Sequence, residues 1–95
     1  MYIADSEDKF FEFSSKGKTY RLITPDSMPT PKMYEYVEAA EGGTRSLMRW
    51  LADFFNEQTG SKVADQMKFS DFAALARKWQ ESGNAELGES QASSD

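Results

Sequence analysis

Apolar positions follow two rhythms along this chain. Over residues 9–24, KFFEFSSKGKTYRLIT, two aromatic and β-branched runs flank Ser15-Lys16-Gly17-Lys18, the pattern of a β-hairpin. An even loop centred between Lys16 and Gly17 sets Phe13 opposite Tyr20, Glu12 opposite Arg21, Phe11 opposite Leu22 and Phe10 opposite Ile23. Phe11, Phe13, Tyr20 and Leu22 then share one apolar face. A three-residue loop would set Phe11 against Arg21 and Glu12 against Tyr20, mixing the faces, so the pattern selects the even loop. A lone hairpin is marginal in water, and this face calls for a helical cover.

Beyond Thr24 the rhythm changes. Three prolines between Thr24 and Pro31 forbid regular structure, and Thr30-Pro31 reads as a helix start, with threonine as N-cap and proline in the first helical position. The first helix is predicted over about 31–41, with Met33, Val37 and Ala40 on its inner side, Tyr34 and Tyr36 flanking it, and Gly42-Gly43 ending it. The second, over 44–59 with Thr44 as its cap, carries Leu47, Trp50, Leu51, Phe54 and Phe55 at i, i+3, i+4, i+7 and i+8 and stops at Gly60. Residues 61–68 read as one or two helical turns that carry Val63 and Met67 inward. A third helix is predicted over 70–82: Asp71 sits in its first turn, where the helix dipole favours an acid, and Phe69, Phe72, Leu75, Ala76 and Trp79 form a stripe that stops at Gly83.

Periodicity fails after residue 83. Asn84 to Asp95 hold one aliphatic larger than alanine, Leu87, and no aromatic, which is the composition of a disordered tail. Residues 1–8 read as a flexible N-terminus. The expected architecture is therefore α+β: a single domain over 9–83, with the antiparallel hairpin packed on a small bundle of three to four α-helices.

Composition narrows the chemistry. The 95 residues include no cysteine and no histidine, which removes disulfides, thiolate nucleophiles, the usual zinc and haem ligand sets, and the commonest general base near neutral pH. The formal charge is −5; Glu86, Glu89 and Asp95 supply three of these charges, so the body carries −2. Its Lys and Arg residues are scattered among acids, without the basic stripe that displaces counterions from nucleic acid. No apolar run is long enough for a membrane span, and the acidic start Met1 to Asp8 is unlike a signal peptide.

The remaining motifs each have a plain reading. Glu35, Glu38 and Glu41 form a solvated helix face, since a hard-cation site needs oxygens converging from several elements. Lys16-Gly17-Lys18 lacks the glycine spacing and following helix of a phosphate loop, and Ser14, Ser15, Ser70 and Ser82 have no histidine to activate them. No catalytic, cofactor or metal residue is expected. Helix-spaced aromatics are ordinarily core, yet seven Phe, four Tyr and two Trp are more than so small a body readily buries, so some should be exposed or lie in a subunit contact. Exposed apolar surface on a non-enzyme marks a partner site. Trp50, Phe54, Phe55 and Trp79 are the partner-binding residues this reasoning selects.

The stretch Phe72-Ala73-Ala74-Leu75-Ala76-Arg77-Lys78-Trp79-Gln80-Glu81-Ser82-Gly83, followed by Leu87-Gly88-Glu89-Ser90-Gln91-Ala92-Ser93-Ser94, resembles the end of tail assembly chaperones from long-tailed (siphovirus-type) bacteriophages of actinobacterial hosts. The order of hairpin, proline-rich connector, helices and serine-rich tail is similar too. That resemblance implies a non-enzymatic chaperone that binds the phage tape measure protein and shields its hydrophobic helices in the host cytoplasm before tail polymerisation, and that is absent from the mature virion. It also implies a longer form made by frameshifting near the end of the short reading frame, and it accommodates self-association into a homo-oligomer. It supplies no catalytic or ligand motif to transfer, and the composition argues against nucleic acid and membrane as partners. Competing readings of the same residues are a generic interaction, adaptor or regulatory module of a phage or bacterial operon and, third, a nucleic-acid-binding regulator.

Overall fold

The computed structural model describes residues 7–94, with side chains over 7–83. The expected disordered tail over 84–95 lies outside the described side chains, as do the first six residues of the expected flexible N-terminus. Strands β1 (Phe10–Ser15) and β2 (Lys18–Ile23) pair antiparallel in the register that alternation selects, Phe13 facing Tyr20, Phe11 facing Leu22 and Phe10 facing Ile23. Lys16 and Gly17 both take positive φ, 51° and 80°, as in the primed two-residue turn whose twist matches the strands. Phe13 stacks on Tyr20 at 5.3 Å, and on the opposite face the Arg21 guanidinium lies 4.0 Å from the Phe10 ring centroid.

A 3-10 turn at Pro25–Ser27 leads to three helices: α1 (Thr30–Glu41), α2 (Thr44–Thr59) and α3 (Phe69–Ser94). The class is α+β, an antiparallel hairpin against helices. The caps differ from expectation by one residue. Pro29 rather than Thr30 holds the cap position of α1, and Gly43 rather than Thr44 that of α2, without a side-chain cap bond at either. Gly83, expected to stop the third helix, lies within α3. Its role is close approach: a Cβ there would come within 3.0–3.1 Å of three carbons of the Pro25 ring. A bare backbone at that position lets α3 press on the 3-10 turn.

The core gathers Leu22 from β2, Leu51, Phe54 and Phe55 from α2, Val63 and Ala64 from the 61–68 connection, and Phe72, Ala76 and Trp79 from α3. Trp79 is fully buried, its centroid 5.4 Å from Phe54, 5.6 Å from Phe55 and 5.7 Å from Tyr36. Its indole Nε1–H donates to the Ile23 carbonyl at 2.8 Å, giving a buried polar edge its partner. One residue thereby ties α3 to the end of the hairpin.

The inner face of α1 is not the expected one. Val37 and Ala40 are exposed, while Ala39 is buried and Met33 and Tyr36 pack against the core. Tyr36 decides the rotation: its ring lies between Trp50 and Trp79, at 5.6 Å and 5.7 Å, and its hydroxyl accepts from Gln80 Nε2 at 2.9 Å. An aromatic that is apolar on its faces and polar at its tip is worth more at this junction than valine or alanine. The 61–68 connection does carry Val63 inward, with Met67 half-buried. Asn56 of α2 holds it, its Oδ1 accepting from the Ala64 N–H at 2.9 Å and its Nδ2 donating to Asp65 at 3.2 Å.

Candidate functional site

The four aromatics selected as partner anchors occupy two different environments. Trp79 and Phe55 are fully buried, and Phe54 is 4% exposed. These three make the core of the folded monomer, because the second and third helices turn their stripes toward one another and the hairpin covers the remainder; they are corrected here to structural residues. Trp50 is half-buried: it stacks on Phe54 at 5.0 Å, and its indole donates to Glu35 at 3.4 Å. It alone of the four reaches the surface.

The exposed large apolar residues are elsewhere. Phe69 is 69% exposed and Tyr34 64%, with Phe10 and Val37 less so. Phe69 was expected inside, as the first member of the α3 stripe, but it is the first residue of the helix and projects past the face that α2 covers. There it meets the N-terminal half of α2. Met48, Ala52, Phe69 and Phe72 line an apolar cavity of about 600 Å³ between the two helices, with Arg45 and Arg49 on its border. Met48 and Ala52 are half-buried, Phe72 is buried as the floor, and Phe69 stands as a wall.

Helical spacing explains the arrangement. Met48 and Ala52 are one turn apart on the side of α2 facing the start of α3, and Arg45 and Arg49 are one turn apart on the adjoining strip. The arginines form a ridge. On its far side lies a second concavity, bordered by Gly42, Ser46, Trp50 and Asp53. Among the described residues neither arginine is in an ion pair; the bridges formed are Lys9–Asp26, Lys32–Glu35 and Lys32–Glu57.

The site offers apolar contact, a flexible thioether and two guanidinium groups. It offers no nucleophile paired with a base. Among the described residues no group of three or more acidic or other ligating side chains could hold a metal ion, and no helix is long and apolar enough to cross a membrane. Glu35 of the carboxylate series is engaged by Lys32 and Trp50. Met48 and Phe69 are the lining residues of this cavity that sequence reasoning did not select; the available signal was that Phe69 opens its helix, where a neighbouring helix cannot cover both flanks.

Comparison with protein-family models, with curated proteins and with solved structures finds no match to this chain.

Proposed function

We propose that this chain is a non-catalytic tail assembly chaperone of a long-tailed phage, which binds hydrophobic helices of the tape measure protein and keeps them from aggregating before the tail tube forms. The observation that carries the proposal is the apolar groove between α2 and α3, walled by Phe69 at 69% exposure and lined by Met48 and Ala52. Isolated exposed apolar residues are common on any surface, but a concave cluster with a buried aromatic floor is the geometry in which an amphipathic helix docks. Methionine adapts its shape to varied side chains, which suits a client presenting many similar helices in succession. The resemblance of residues 72–94 to the tail assembly chaperones supplies the client.

On this reading the chain works in the host cytoplasm during assembly, is absent from the finished virion, self-associates, and is accompanied by a frameshifted longer form. Co-expression with a tape measure fragment provides the test. The fragment should stay in the supernatant with the unaltered chain and return to the pellet with Phe69→Ser, a substitution at an exposed position that leaves folding intact. A fragment that precipitates equally with and without the unaltered chain overturns the proposal.

A further inference from the structure

The groove has a charged border as well as an apolar floor, and the border carries information about the partner. The chain as a whole bears −5, so at long range it repels acidic partners. Yet Arg45 and Arg49 border the groove one helical turn apart, and among the described residues neither is committed to an internal acid. We infer that the groove takes an amphipathic helix carrying two carboxylates one turn apart beside its apolar stripe, these pairing with Arg45 and Arg49 while the stripe packs on Met48, Ala52 and Phe69.

Three features converge on that occupant. The guanidinium fork matches a carboxylate with two parallel hydrogen bonds, which ammonium groups do not provide. Side chains at i and i+4 of a helix stand about 5–6 Å apart at their Cβ atoms, so a helix laid along α2 presents acids at the spacing of the two arginines. The cavity on one flank of the ridge is apolar, placing the partner's apolar and acidic strips side by side, as in an amphipathic helix. A basic helix would meet like charge at the border and lose affinity. The inference rests on the proposed chaperone reading for its biological client, but its chemistry is separately testable.

The experiment uses the full chain and two fluorescein-labelled synthetic peptides of about five helical turns. Both carry the same Leu and Phe stripe; one is flanked by Glu at i and i+4, the other by Lys. Fluorescence anisotropy should show the Glu peptide binding about tenfold more tightly than the Lys peptide, two border ion pairs being able to supply that factor. The preference should shrink as salt rises from about 0.05 to 0.3 M, because border charges are screened. The double variant R45E/R49E, checked for unchanged melting, should reverse the order. Equal affinities, no binding of either peptide, or an order unchanged by R45E/R49E would each overturn the inference. The two proposals part company in their outcomes. If the peptides bind with equal affinity while the unaltered chain still holds the tape measure fragment soluble, the acidic-helix inference falls and the chaperone reading stands. If the peptides behave as expected while the fragment precipitates regardless, the chaperone reading falls and the groove's preference stands.

Discussion

Replacing Trp79 with Phe should cost this domain a large share of its stability. Trp79 is fully buried and donates its indole N–H to the Ile23 carbonyl at 2.8 Å. Phenylalanine removes that donor; Ile23 is only half-buried, so the loss falls near the low end of the range for an unsatisfied carbonyl, about 1 kcal/mol. The smaller ring also leaves a void among Phe54, Phe55 and Tyr36, worth roughly 1–2 kcal/mol when neighbours relax only in part. The sum is about 2–3 kcal/mol, against a total stability of roughly 4–12 kcal/mol for a body of this size. At about 4–8 °C per kcal/mol, the melting temperature should fall by ~10–20 °C. Trp50→Phe is the control: Trp50 is half-buried and its 3.4 Å bond runs to exposed Glu35, so its loss should stay under about 1 kcal/mol. Urea titration followed by circular dichroism measures both. Equal losses in the two variants, or a Trp79→Phe loss below about 0.5 kcal/mol, would refute the assignment of Trp79 as the core anchor.

Two further perturbations probe how the elements are joined. Gly83→Ala gains about 1 kcal/mol of helix propensity but drives a Cβ to 3.0 Å from the rigid Pro25 ring, an overpacking cost of roughly 1–3 kcal/mol; urea midpoints should show net destabilisation, and a stabilised variant would contradict the close approach. Asn56→Ala removes the acceptor of the buried Ala64 amide, which should lower stability by about 1–3 kcal/mol. Amide exchange at Ala64 should accelerate with it, and unchanged exchange would show that the 61–68 connection is held some other way.

The hairpin and its register were legible because side-chain period, glycine position and charge pairing all select one alignment; Phe13–Tyr20 and Glu12–Arg21 can face each other only around Lys16-Gly17. The α2 stripe was legible for a similar reason, since Leu51, Phe54 and Phe55 leave no doubt about the inward face. On α1 local pattern was insufficient. Met33, Val37 and Ala40 make as good a stripe as Met33, Tyr36 and Ala39, and the choice depends on Trp50 and Trp79, distant in sequence, between which Tyr36 fits.

The candidate site was half legible. The number of aromatics signals that some stay exposed, but size alone points to the wrong ones: the largest rings are the most valuable to bury in a small core. Trp79, Phe55 and Phe54 are therefore structural, and exposure falls to Phe69, whose position at a helix start leaves it beyond the reach of α2. The groove itself depends on the relative placement of two helices, which no single stripe encodes. Gly83 likewise looks like a stop signal until its neighbour Pro25 is seen.

On the proposed chaperone reading, Met48, Ala52 and Phe69 receive a hydrophobic helix of the tape measure protein. Hydrogen–deuterium exchange of the full chain, with and without a tape measure fragment, tests it most directly. Binding should protect backbone amides over 44–52 and 69–73 and leave β1 and β2 at their free rates. Protection confined to the hairpin around Phe10, or to the outer face of α1 at Tyr34 and Val37, would place the client elsewhere and contradict the claim.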